Sequence, residues 1–253
     1  MAETIRMIAD RLAGCDEGGL SAFIATYQED GRAGVQKLVQ RAQKQIADYA
    51  TERKRLHAMQ EFERKYRPEC PLICGIDEAG RGPLAGPVVA GAVILPEAAD
   101  ILYINDSKKL SPKKRDELYE EITDRALAYS VGIATSKEID EINILQATYL
   151  AMRRAIRRLG QQPDILLNDA VVIPDVPVRQ VGIIKGDAKS VSIAAASIVA
   201  KVTRDQLMVA YDDLYPGYGF AEHKGYGTAA HYGAIREKGL TPIHRRSFLK
   251  DLQ

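Results

Sequence analysis

The chain has 253 residues, 46% hydrophobic and 27% charged, a size for one large domain or two smaller ones with a packed core. Its net charge of +1 excludes a bulk polycation, so an anionic partner must be met by a local basic patch. No apolar stretch approaches the ~20 residues of a membrane helix, the N-terminus lacks a signal-peptide core, and Cys15, Cys70 and Cys74 have neither disulfide-framework nor zinc spacing. The expectation is a cytoplasmic protein with no membrane contact and incidental thiols.

Residues 1–68 read as an all-helical extension. Apolar positions recur at helical spacing in Ile5, Ile8, Ala9 and Leu12, and again in Val35, Leu38, Val39, Ala42 and Ile46. Gly18, Gly19 and Gly31 punctuate them, and Pro68 ends a charged helical stretch from Thr51 to Tyr66. The charges there are mixed, as on a solvated helix face.

From residue 69 to 253 the pattern becomes mixed α and β. Strand signals fall at 72–76, 88–95, 101–104, 129–135, 165–167 and 181–185. Helices are predicted from Pro112, with Ser111 as N-cap, to about Ala128, from Ile144 to Leu159, and from Ser190 to about Leu214. The first half of the last helix is apolar nearly all round and rich in small residues, which lets it lie close against a sheet. The order of elements predicts a mixed sheet flanked by helices, with parallel pairing in its later part.

Four carboxylates stand at the ends of predicted strands. Asp77 and Glu78 come directly after the strand signal 72–76, Asp169 after 165–168, and Asp187 after 181–186. Read singly, Asp169 is a turn residue and Asp187 serves the N-terminus of the next helix. Together, on neighbouring strands, they converge at the edge where open α/β sheets bind ligands. Clustered acids need a counter-cation, and oxygen-only ligands select a hard one, Mg2+ or Mn2+. Two such ions about 4 Å apart can activate water and stabilise the leaving oxygen of a phosphodiester.

Gly80, Arg81 and Gly82 come next. Glycines free backbone N–H groups to face an anion, and arginine adds a planar donor fork. Lys108 and Lys109 supply further cations beside the predicted helix start. The stretch from Tyr215 to Arg246 interleaves aromatics, glycines and cations, the composition of a surface that stacks on sugars or bases and contacts phosphates.

The motif from Asp77 to Pro87 resembles the signature of the type 2 ribonucleases H, the bacterial ribonuclease HII family. So do the segments 106–110, 185–187, 192–205 and 223–228, in family order, and the resemblance spans about residues 72–248. It implies a ribonuclease-H-like α/β fold and a two-metal endonuclease that cuts RNA in RNA–DNA hybrids. It also implies incision 5′ of single ribonucleotides in duplex DNA, leaving 3′-hydroxyl and 5′-phosphate ends, as in ribonucleotide excision repair. By motif, Asp77, Glu78, Asp169 and Asp187 are the catalytic acids and metal ligands. Asp77 would bridge the ions, Glu78 and Asp169 completing one site and Asp187 the other. Gly80, Arg81 and Gly82 would read the 2′-hydroxyl and hold the adjacent phosphate, Lys108 would contact phosphate or leaving group, and Tyr226 would stack on the deoxyribose 3′ of the ribonucleotide. A monomer acting on RNA–DNA hybrid or ribonucleotide-containing duplex is expected. Two rivals remain: a resolvase- or integrase-type nuclease acting on DNA, and a non-catalytic nucleic-acid-binding module with a structural cation.

Overall fold

The computed structural model describes residues 3–250, and its chain divides into two compact units at Ala58/Met59. In the first, α1 (Ile5–Ala13) is capped by Thr4 and α2 (Glu17–Tyr27) by Asp16, whose side chains accept from N–H groups of the first turns. A long helix, α3 (Ala33–Met59), runs to the division. Ile8, Leu12, Leu20, Phe23, Tyr27, Val35, Val39 and Ala42 form this unit's own core. The helical spacing read from the sequence is therefore the spacing of buried positions.

The second unit begins with a short helix, α4 (Glu61–Tyr66), set off from α3 by a break at Gln60. The charged helical stretch read from Thr51 to Tyr66 is broken at Gln60, and its last part, α4, packs with the mixed α/β part of the chain. Phe62 and Tyr66 pack on the cluster of Cys70, Ile73, Ile165, Leu167, Ile183 and Ile193.

Among the described residues this unit has five strands: β1 (Ile73–Ala79), β2 (Val88–Ile94), β3 (Ala128–Ala134), β4 (Ile165–Asp169) and β5 (Arg179–Ile183). They form one mixed sheet in the order β3-β2-β1-β4-β5. β1–β2 and β2–β3 are antiparallel, while β1–β4 and β4–β5 are parallel. The connecting helices are α5 (Pro112–Arg125) and α6 (Ser136–Arg158), and after β5 come α7 (Val191–Leu214), α8 (Phe220–His223) and α9 (Ala229–Lys238). Ser111 caps α5 with proline next, as its sequence requires.

Residues of β1 alternate between two helical layers. Cys74 and Ile76 face the cluster built by Ala147, Ala151, Met152 and Ala155 of α6. Gly75, on the opposite face, lies against α7: a Cβ there would stand 2.0 Å from the backbone carbonyl of Ser192. Small residues on both sides thus set the helix directly on the sheet.

Two local readings change. Residues 101–104 form no strand; Tyr103 takes φ 68°, and Ile101 and Ile104 reach the core from a turn. The helix expected from Ile144 is preceded by another helical segment from Ser136, capped by a Thr135–Glu138 capping box and joined across a kink at Asn143 (φ 67°).

Candidate active site

The parallel strands β1, β4 and β5 end on one edge of the sheet, and each brings an acid there. Asp77 and Glu78 lie in the last three residues of β1, and Asp169 ends β4. Asp187 sits four residues past β5, in a 3-10 turn, Gly186–Ala188. That turn is tied to β4 by the Gly186 N–H, which donates to Asp169 Oδ1 at 2.7 Å. Asp77 and Asp187 are buried.

Burial and mutual repulsion govern these acids. Burial, then the charge of Glu78, drives the Asp77 carboxyl well above the usual carboxylate range, against a hydrogen bond from Ser197. Burial also raises Glu78, with Asp169 adding to it and Arg81 opposing. Asp187 is raised by burial, then by Asp106 and Asp169, with Lys108 opposing. Burial works to lower the Lys108 ammonium, but Asp77, Asp106, Asp187 and Glu78 together outweigh it and raise the pKa.

Protein groups also hold the β1 acids directly. Asp77 Oδ1 accepts from the Glu78 N–H at 2.7 Å, and Glu78 Oε1 pairs with Arg81 Nη1 at 3.2 Å. Among the described residues no group of three or more His, Cys, Asp or Glu side chains stands in a position to hold a metal ion.

Beside the acids, Glu78, Gly80, Arg81, Gly82, Lys108 and Tyr226 line a cavity of about 450 Å³, with Arg115, Lys201 and Arg204 in its wall. Arg81, Gly82 and Lys108 are exposed, and the Tyr226 ring is 46% exposed. Gly82 lies beside that ring, 3.8 Å from a Cβ built upon it to Tyr226 Cε1. The Lys108 loop has its own fixings. Asp106 accepts from the Lys108 N–H, Arg115 Nε donates to the Ser107 carbonyl, and Ser107 Oγ lies 3.0 Å from Ser197 Oγ.

In the stretch read as a stacking surface, most of the ring-bearing side chains turn inward. Tyr218, Phe220, His231, His244 and Arg245 are all buried, leaving Tyr226 as its large exposed aromatic. The histidines form a chain with defined proton positions. The Thr241 N–H donates to His244 Nδ1 (2.9 Å), so Nε2 carries the proton of neutral His244 and donates to His231 Nε2 (3.1 Å). His231 Nδ1 then donates to the Tyr226 carbonyl (2.9 Å). Burial holds both rings neutral, bringing His244 down to about 4 and lowering His231.

Two further residues escape a sequence reading. Arg204 and Arg245 are wholly buried beneath the loop of residues 80–87. Arg204 donates to the carbonyls of Pro87, Ala85 and Lys224, and Arg245 to those of Gly86, Arg81 and Gly80. Their partners are backbone atoms, which leave no mark in a sequence. The available signal was the place of Arg204 on the helix, seven residues, two turns, beyond Ser197 on the same face of α7.

Known proteins share this sequence and fold. The family model described as Ribonuclease HII matches residues 74–251, and the Ribonuclease HII N-terminal domain matches 4–67. The chain is 58% identical to the ribonuclease HII of Lachnoclostridium phytofermentans over 236 residues, 93% of this chain and 92% of that protein. It is 53% identical to that of Clostridioides difficile, with 91% of each covered. Among solved structures, the Pyrococcus horikoshii ribonuclease H2 matches with a TM-score of 0.58 and 31% identity, over 69% of this chain and 92% of that one. The Archaeoglobus fulgidus ribonuclease HII, solved with PCNA, matches with a TM-score of 0.59 and 28% identity, over 69% and 93%. This chain belongs to the ribonuclease HII family, endonucleases that cleave RNA in RNA–DNA hybrids.

Proposed function

We propose that this ribonuclease incises on the 5′ side of a ribonucleotide, including a single one embedded in duplex DNA, leaving 3′-hydroxyl and 5′-phosphate ends. The observation that carries this reading is the convergence of three parallel strand ends, bearing Asp77, Glu78, Asp169 and Asp187, beside the turn of residues 80–82 and the exposed Tyr226 ring.

Asp77, Glu78, Asp169 and Asp187 are the proposed holders of two divalent ions, Mg2+ or Mn2+. The chemistry of the donor set suits them: four carboxylates without sulfur or imidazole select a hard cation, which would draw these side chains closer than they stand here. The raised proton affinities of Asp77, Glu78 and Asp187 mark a place short of positive charge. A Bst ribonuclease HIII of the same fold, 19% identical with a TM-score of 0.53, was solved with Mn2+. When bound, such ions supply an activated water and stabilise the leaving oxygen. Glu78 must give up Arg81 to take part, which frees that guanidinium for a substrate phosphate.

The remaining groups recognise. The glycines on either side of Arg81 allow a sugar-phosphate backbone to approach the turn, and the 2′-hydroxyl is the one feature that separates RNA from DNA at a single residue. Lys108 contacts phosphate or leaving group, its charge sustained by four neighbouring acids. Tyr226 stacks on the deoxyribose 3′ of the ribonucleotide, its backbone fixed by His231 while its ring stays free.

The test is cleavage of matched duplexes containing no ribonucleotide, one, or a full RNA strand, each with Mg2+ and with Mn2+. Incision only where ribose is present is expected, and equal cutting of all-DNA duplex refutes it. Tyr226→Ala should lower incision at the single ribonucleotide by about tenfold more than cutting of the long hybrid, the scale of one lost stacking contact. Equal losses on both substrates remove the junction-sensing role.

A further inference from the structure

Arg245 is fully buried, and no carboxylate pairs with it among the described residues. Its planar guanidinium is spent on one loop: Nη2 donates to the Gly80 carbonyl at 2.5 Å, Nη1 to the Arg81 carbonyl at 2.7 Å and Nε to the Gly86 carbonyl at 2.9 Å. The peptides of the described residues are trans. In a trans peptide, C=O and N–H point in opposite directions. The Gly80 carbonyl shares its peptide with the Arg81 N–H, and the Arg81 carbonyl shares its peptide with the Gly82 N–H. Drawing both carbonyls inward onto Arg245 therefore turns both N–H groups outward.

Arg81 and Gly82 are exposed at the cavity lined by Glu78, Lys108 and Tyr226, and neither N–H finds an acceptor among the described residues. Two adjacent outward donors on a flexible turn would sample many orientations if nothing held the carbonyls. Arg204 closes the loop's other limb through Ala85 and Pro87. It also explains why residue 80 must be glycine: φ is +91°, and a Cβ would stand 2.0 Å from Arg204 Nε.

We propose that Arg245 is a positioning residue for ribose recognition. By gathering the Gly80 and Arg81 carbonyls, it aims the Arg81 and Gly82 N–H groups at oxygen atoms of the substrate strand at the ribonucleotide. This rests on the reading of residues 80–82 given above. Lysine at this position keeps the charge but offers one donor centre in place of a fork, so the two peptides are no longer held in one plane of donors.

The first measurement needs no variant: amide hydrogen exchange, resolved at residues 81 and 82, in the full chain. Both amides should exchange fast in the free enzyme. They should slow by at least about tenfold on a duplex with one ribonucleotide, as expected for new hydrogen bonds, and not on all-DNA duplex. Slow exchange in the free enzyme, or equal protection by both duplexes, overturns the proposal.

The second compares Arg245→Lys with Gly82→Ala. A Cβ at Gly82 meets only an ordinary 3.8 Å contact with Tyr226, so that variant folds while obstructing close approach. Arg245→Lys should raise KM for the one-ribonucleotide duplex about tenfold with kcat within about threefold, leaving all-DNA binding within about twofold. Combined with Gly82→Ala it should lose little more than either alone. Parallel loss of all-DNA binding and ribose-dependent cleavage makes Arg245 merely structural and refutes the proposal. Full activity of Gly82→Ala instead removes the underlying reading of the turn, a separate outcome from an active Arg245→Lys beside an impaired Gly82→Ala.

Discussion

Two truncations that differ by ten residues should behave very differently. A chain starting at Met59 keeps α4, and one starting at Glu69 loses it. Glu63 on α4 is buried; its Oε1 accepts from Ser190 Oγ at 2.5 Å and from the Ser192 N–H at 3.0 Å. It thus sits at the N-terminus of α7, where a negative charge is favoured. Two hydrogen bonds to a charged group are worth about 1.5–3 kcal/mol each. Phe62 and Tyr66 are partly buried on the Ile73–Ile165–Ile193 cluster, worth roughly 1–2 kcal/mol apiece on area scaling. The gross contribution is on the order of 5–10 kcal/mol, and chain entropy regained by removing a short helix offsets much of it. A net loss of about 2–4 kcal/mol remains, a drop in Tm of roughly 5–15 °C for a unit of this size. Thermal melts followed by circular dichroism decide the matter. Both fragments lack the first helical unit, so both should bind substrate more weakly, but the fragment from Met59 should melt well above the other. Equal melting temperatures refute the assignment of α4 to the catalytic unit.

Asp77→Asn should abolish cleavage yet raise Tm in chelator by about 3–10 °C, because a neutral amide relieves roughly 1–3 kcal/mol of buried repulsion. Saturating Mn2+ should stabilise the wild type more than the variant, by an increment of about 2.7 kcal/mol at a hundredfold over Kd; a variant less stable than wild type in chelator defeats this reasoning. Gly75→Ala forces a methyl to 2.0 Å from the Ser192 backbone, so α7 must retreat from β1, and a loss of about 3 kcal/mol or more is expected in urea melts, with kcat down about a hundredfold as Ser197 moves off Asp77. His244 has its folded pKa lowered from 6.5 to about 4, so its contribution to stability is complete above pH 6.5 and is lost as pH falls toward 4. That loss is at most about 3 kcal/mol at roughly 1.4 kcal/mol per tenfold in proton affinity, and the drop in Tm from pH 7 to pH 5 should shrink in His244→Gln.

What the sequence disclosed depended on whether a residue's role is local. Asp77, Asp169 and Asp187 each come after an apolar run, and strand ends on a parallel sheet share an edge, so their placement on that edge could be anticipated. The contact of α7 with the sheet was also legible, since alanines and serines at 192–200 admit close approach to Gly75 and Gly91. Residues 101–104 misled because apolar composition reports burial and not extension; Ile101 and Ile104 enter the core from a turn. The aromatic and histidine content of residues 215–246 was similarly ambiguous. Tyr218, Phe220, His231 and His244 pack on one another, with Tyr218 and Phe220 stacked at 5.3 Å, and reach the site through the Tyr226 carbonyl and the bridge of His244 to Ala85. Arg204 and Arg245 were illegible because their partners are carbonyls from residues distant in the chain.

Those two arginines also answer the first constraint set by composition. A net charge of +1 cannot attract a polyanion, so the attraction must be local. Had a carboxylate neutralised either guanidinium beneath the loop, the pair would project little field into the groove. Backbone carbonyls satisfy the donors while leaving the formal charge in place. The loop of residues 80–87 therefore rests on two uncancelled positive charges, with Arg81 and Lys108 above it in solvent. Such a loop is disfavoured by the mutual repulsion of its cations, which burial and Arg204 express by pulling Arg245 down to about 9. A phosphate backbone relieves that repulsion. Substrate affinity should accordingly fall with salt. Part of that dependence should come from charges that never touch water.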